Sequence, residues 1–137
     1  MEFTFFMVKP DAVMAGYIEG IIRHIKENGF KIVARKQKTL TRDDVAFLCP
    51  MHVGRDFFDD LVAFFTSGPS ELFVLRRRSA IEFLNKLVGE TDPKHNSGPS
   101  LRKRFGTDVR RNAVHSPSNE ENAVRELAYF FPEKDWY

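Results

Sequence analysis

The chain has 137 residues, 42% hydrophobic and 29% charged, with a net charge of +2. That balance suits one globular domain, 1–137, able to bury a core without metal or disulfide staples. The single cysteine, Cys49, excludes an internal disulfide and fits a reducing compartment. His24, His52, His95 and His115 lack zinc-ligand spacing, so no metal-ligating set is expected, and the small net charge gives no argument for specific nucleic acid. The apolar start "MEFTFFMV" is cut off by Lys9, too short for a signal peptide or a membrane span, so a cytoplasmic protein without a membrane partner is expected.

Phe3 to Val8 reads as a buried strand, aromatic and β-branched, ended by Pro10. Ile18, Ile21, Ile22 and Ile25 fall at helical spacing, and Asn28-Gly29 ends that helix. Phe30 to Leu40 is a second strand. Thr41 opens a short helix with Asp44 placed for a capping box. Phe57, Phe58, Leu61, Val62 and Phe65 make another helix, stopped by Gly68-Pro69. Leu72 to Leu75 is a third strand, and Ser79 with Glu82 caps a helix carrying Ile81, Leu84 and Leu87. Residues 89 to 117 read as a long loop with one helical turn near Leu101, and a loop of that length is usually functional or disordered. Ser118 with Glu121 opens a helix to about Glu126, and "LAYFF" forms a final strand ended by Pro132. Stripped of extras the order is β-α-β-β-α-β. This predicts an α+β, ferredoxin-like fold: a four-stranded antiparallel sheet with helices on one face. The 14 Phe imply a bulky aromatic core.

The chemistry gathers late in the chain. Arg102, Lys103, Arg104, Arg110 and Arg111 lie within ten positions, with hydroxyls at Thr91 and Ser100 and an amide at Asn112. Guanidinium groups bind phosphate oxygens bidentately and stay charged, so the set suits a polyanion; it equally describes a solvated basic surface. His115 follows in "NAVHSP". A neutral imidazole has one nucleophilic nitrogen if an acceptor holds the other. Glu126, eleven positions later on the following helix, is the candidate holder, and a surface histidine beside a helix start is the plain alternative. Lys9, in "KPDAV" at the end of the first strand, lies where ligand groups gather in such folds, or is simply an edge lysine. Neither G-x-G-x-x-G nor a Walker loop is present.

Taken together, "MVKPDAV", "SGP", "GETDP" and "RRNAVHSPSNEENAVRELAYFF" resemble the nucleoside diphosphate kinase family from about Phe3 to Phe131, with the K-P-D and N-x-x-H elements as the specific pair. The resemblance implies that His115 takes the γ-phosphoryl group of a nucleoside triphosphate and passes it to a diphosphate in ping-pong fashion, with Glu126 orienting it. It implies nucleotide contacts at Lys9, Asn112, Thr91 and Arg102 and at the position of Asn85, and a base held between Phe57 and Val109. Mg2+ would arrive with the nucleotide, and a homo-oligomer, tetramer or hexamer, would be expected, with Trp136 and Tyr137 packed on a neighbouring subunit or on their own fold.

Four positions depart from the family pattern: Asn85 stands for an arginine, Pro117 for a serine, Cys49 for a tyrosine and Ala15 for an arginine. A lost charge-assisted hydrogen bond costs about 1.5–3 kcal/mol. Asn85 and Pro117 therefore motivate a second reading, a nucleotide-binding but weakly active member with a regulatory or assembly role. A third, an RNA-binding module of the same topology, lacks the aromatic strand signature, since its third strand reads "ELFVLRRR".

Overall fold

Strand β1, Glu2–Val8, alternates its side chains between two cores. Phe6 and Val8 join Phe73 and Leu75 under Ile21, Ile25 and Leu84, while Phe5 and Met7 join Leu72 and Val74 under Leu48, Phe65, Leu127 and Phe130. These two clusters absorb much of the phenylalanine, each fully buried ring contributing about 1.5–3 kcal/mol. Both faces of the sheet are therefore covered, which corrects the expectation of helices on one face.

The computed structural model describes residues 1–89, 92–95, 100–108 and 110–133. After β1 come α1 (Pro10–Met14), α2 (Ile18–Glu27), β2 (Lys31–Lys38), α3 (Arg42–Leu48), α4 (Phe58–Phe65), β3 (Ser70–Arg77), α5 (Ala80–Val88), α6 (Leu101–Phe105), β4 (Val114–His115) and α7 (Glu120–Phe130). The strands pair antiparallel in the order β2-β3-β1-β4, the ferredoxin-like arrangement. Helices α2 and α5 supply one face; α3, α4 and α7 supply the other.

Several local signals act as expected. Gly29, at φ +87°, follows the Asn28 cap of α2, a conformation that favours glycine. Thr41 and Asp44 form both bonds of the capping box, at 3.2 and 2.9 Å. The helical turn near Leu101 is α6, with the Ser100 hydroxyl accepting from the Lys103 N–H.

Three expectations are corrected. "LAYFF" is not a strand: α7 runs through it to Phe130, and the fourth strand is the two-residue β4. The buried positions Ala123, Glu126, Leu127 and Phe130 follow a helical period, and Tyr129 stacks on Phe47 at 3.8 Å and donates to Asp44 of α3. Ser79 sits at φ +51° and makes no side-chain cap; Glu2 accepts from the Ile81 N–H instead, and Glu82 pairs with Lys86. The cap of α7 is Asn119, whose side chain accepts from the Asn122 N–H, while Ser118 accepts from the Asn122 side chain.

Candidate active site

The pairing of β1 with β4 builds the site. Met7 faces His115 and Val8 faces Val114, so the end of β1 lies beside Asn112–His115. The Lys9 N–H donates to the Ala113 carbonyl at 2.8 Å, and Lys9 Nζ donates to Asn112 Oδ1 at 2.8 Å. Asp11 Oδ2 accepts from the Ala113 N–H at 3.1 Å. Ala113 is thus held at φ +75°, a left-handed conformation that costs a non-glycine residue about 1–2 kcal/mol. Strain at such a position is held only where neighbours over-determine it, as Lys9 and Asp11 do here. Arg102 approaches from α6 and donates to the carbonyls of Gly89 and Val114 at 3.2 and 3.1 Å. Gly106 lets these segments close up: a Cβ there would lie 2.6 Å from the Arg102 carbonyl oxygen and 3.0 Å from the Asn112 Cα.

His115 Nε2 lies 2.6 Å from Glu126 Oε1, and Glu126 is only 3% exposed on the inner face of α7. The other side of His115 faces a cavity of about 390 Å³. Its lining combines the polar Lys9, Arg102, Arg110 and Asn112 with Cys49, His52, Phe57, Leu61 and Phe65. Phe57 is 40% exposed, and His52 meets its ring edge-on at 4.9 Å. Asp108 shapes the loop before Asn112, accepting from the N–H groups of Arg110 and Arg111 at 3.0 and 2.7 Å and from the Arg111 guanidinium. Those bonds hold the Asp108 carboxyl down at about 2.

The field in the cavity is positive. Burial and the Arg102 charge bring the Lys9 ammonium down to about 8, against the opposing pull of Asp11. Burial raises the Asp11 carboxyl despite Lys9 and the amide bonds it accepts. Burial likewise raises the Cys49 thiol, which keeps it protonated and inert. Clustered cations that are costly to hold without a counter-charge suit an anionic ligand. Among the described residues, no group of three or more His, Cys, Asp or Glu side chains is placed to hold a metal ion.

Five of the residues singled out from sequence, Lys9, Phe57, Arg102, Asn112 and His115, share this cavity, and Glu126 stands behind His115. Asn85 is not among the lining residues: it faces Ser116 and Ser118 and borders a different cavity with Glu2, Ser79 and Lys86. Thr91, Val109, Trp136 and Tyr137 lie outside the described residues. Sequence reasoning misses Asp11 and His52 as contributors and names Arg110 only as one of five cations. Asp11 stands inside the K-P-D element, and Arg110 inside the cationic run, but nothing in sequence separates Arg110 from Arg111.

Comparison with known proteins agrees along the whole chain. The family described as nucleoside diphosphate kinase matches residues 2–136. The nucleoside diphosphate kinase of Syntrophotalea carbinolica is 41% identical over 131 residues, 96% of each chain. That of Flavobacterium psychrophilum is 38% identical over 134 residues, 98% of this chain and 96% of that one. Among solved structures, a halophilic nucleoside diphosphate kinase from Halobacterium salinarum in complex with CDP superposes with a TM-score of 0.89 at 33% identity, covering 95% of this chain and 87% of that one. A nucleoside diphosphate kinase family protein from Babesia bovis gives 0.90 at 37% identity, covering 97% and 90%. With similarity at this level across nearly the full length, in sequence and in fold, the chain belongs to the nucleoside diphosphate kinase family.

Proposed function

We propose that this chain is a phosphotransferase that moves the γ-phosphoryl group of a nucleoside triphosphate to a nucleoside diphosphate through a phosphohistidine on His115. The observation that carries the reading is the 2.6 Å contact of His115 Nε2 with the buried Glu126 carboxylate, at the edge of a cationic cavity. A carboxylate only accepts, so Nε2 carries the proton and Nδ1 the lone pair. Nδ1 attacks the γ-phosphorus, a P–N bond forms as the bond to the β-γ bridging oxygen breaks, and the diphosphate leaves. A second diphosphate then attacks the phosphohistidine in the reverse sense, which is ping-pong kinetics. Phosphoryl transfer asks for placement and charge stabilisation, which Lys9, Arg102 and Asn112 supply around the phosphate oxygens.

The nitrogen groups facing the cavity are three cations, one amide and two imidazoles, a set suited to phosphate oxygens rather than to a bare dication. Magnesium would therefore enter on the nucleotide, where it would supply charge neutralisation beside Lys9 and Arg102. Phe57 offers one wall for the base. Stacking reads any base weakly, so broad nucleotide use follows. The test is intact mass after incubation with ATP and magnesium. A gain of one phosphoryl group, acid-labile, base-stable and removed by added diphosphate, is expected; an acid-stable adduct or none overturns the reading.

The weakly active alternative draws on Asn85, which faces the loop after His115 and leaves the cavity without the family's arginine. Turnover measured alongside the mass experiment separates the two readings. We further propose that the chain assembles as a homo-oligomer, a tetramer or hexamer. Strand β2 is a sheet edge, with open N–H and C=O groups that a second copy can pair. No helix among the described residues is long and apolar enough to cross a membrane. Light scattering is expected to give a multiple of the protomer mass, and a monomer at micromolar concentration contradicts assembly.

A further inference from the structure

Strand β4 is two residues long, so its ladder alone holds His115 weakly. Side chains do the rest. Ahead of His115, Lys9 and Asp11 hold Asn112 and Ala113, and Arg102 holds the Val114 carbonyl. Beyond His115 the chain meets Asn85 on α5. Ser116 Oγ donates to Asn85 Oδ1 at 3.0 Å, and Asn85 Nδ2 donates to the Ser118 carbonyl at 3.4 Å. A carbonyl can only accept, so the Ser118 bond fixes which way the amide points and leaves Oδ1 for the hydroxyl.

The two bonds bracket Pro117, which is buried and whose ring fixes its own φ. Helix α5 is itself anchored on the sheet by Ala80, Ile81, Leu84 and Val88, all buried. The exit of the strand that carries His115 is thereby tied to a rigid element. The departures at Asn85 and Pro117, which look like losses when each is read alone, form one arrangement: a short amide, a serine hydroxyl and a proline that stiffen the segment.

We propose that Asn85 is a positioning residue for His115, acting through the Ser116 hydroxyl, rather than a contact for nucleotide phosphates. The proposal rests on the phosphohistidine reading above. In-line attack punishes small misplacement, so loosening the segment slows the chemical step without removing a ligand from the nucleotide.

The experiment is a double-mutant cycle with Asn85→Ala and Ser116→Ala in the full chain, reading kcat, KM, ADP affinity and the rate of histidine labelling by ATP. Alanine is a better helix former than asparagine and position 85 is only half-buried, so Asn85→Ala keeps α5. Each single variant is expected to lower kcat and the labelling rate about threefold to tenfold, with KM and ADP affinity within about twofold of the parent. The double variant is expected to be no slower than the worse single one, because both remove the same bond. Ser116→Thr keeps the hydroxyl and is expected to recover most of the loss.

A rise in the ADP dissociation constant in Asn85→Ala with kcat preserved makes Asn85 a phosphate contact and overturns the proposal. So do losses that multiply in the double variant, or single variants that match the parent. Absence of histidine label in the parent chain overturns the phosphohistidine reading and this proposal together, whereas label in the parent with unchanged variants overturns this proposal alone.

Discussion

Replacing His115 with alanine is expected to end phosphoryl transfer and the labelled intermediate together, lowering turnover by at least about a thousandfold. The variant keeps Lys9, Arg102 and Asn112, so ADP should still bind. That combination, binding without transfer, distinguishes loss of the nucleophile from loss of the fold. The substitution also leaves Glu126 buried without its imidazole partner, which costs about 1–3 kcal/mol of stability. Thermal unfolding should therefore be measured beside activity. His52 lines the same cavity and provides the control: it contacts Phe57 edge-on and no contact with Glu126 is seen, so His52→Ala should retain the intermediate. Transfer retained in His115→Ala, or label moved to Ser116 or Ser118, contradicts the role given to His115.

The sequence makes the site more legible than its supports. Lys9, Asn112 and His115 stand in two short motifs, Glu126 follows eleven positions after His115, and these residue types allow few chemistries; strand pairing then brings Lys9 to Asn112 across 103 positions. The first half of the fold is legible for similar reasons, because alternation in β1, helical spacing in α2 and the Thr41–Asp44 box are local signals that agree with one another. The end of the chain is harder. "LAYFF" is aromatic enough for a strand, and only its partners, Phe47 and Asp44 on α3, explain why it stays helical. A strand of two residues at Val114–His115 carries no periodicity to detect. The cap expected at Ser79 is absent with its backbone left-handed at φ +51°, and Glu2, 79 positions before Ile81, supplies an acceptor to the Ile81 N–H instead. Asn85 is the sharpest case. Its position in the chain suggests a phosphate contact, and its partner Ser116 becomes visible only once α5 is docked on the sheet.

Glu126→Gln is expected to lower kcat about tenfold to a hundredfold while leaving KM nearly unchanged. Glu126 does not line the cavity; it reaches the reaction only through His115 Nε2. Glutamine keeps the size of the side chain, so the inner face of α7 stays filled, and it removes the formal charge. As Nδ1 takes the phosphoryl group the imidazole becomes cationic. A carboxylate at 2.6 Å stabilises that cation more than it stabilises the neutral ring, and a neutral amide does so far less. The amide brings a second loss, because its NH₂ can turn toward Nε2, which must then accept and so leave the proton on Nδ1, the nitrogen that has to attack. The phosphohistidine should still form, slowly, which separates Glu126→Gln from His115→Ala in a single-turnover labelling experiment. An unchanged labelling rate means that Glu126 only fills space, and a rise in KM with kcat preserved means that it acts on the nucleotide. A fall confined to kcat is the signature of a group whose contribution grows as charge develops on the ring it holds.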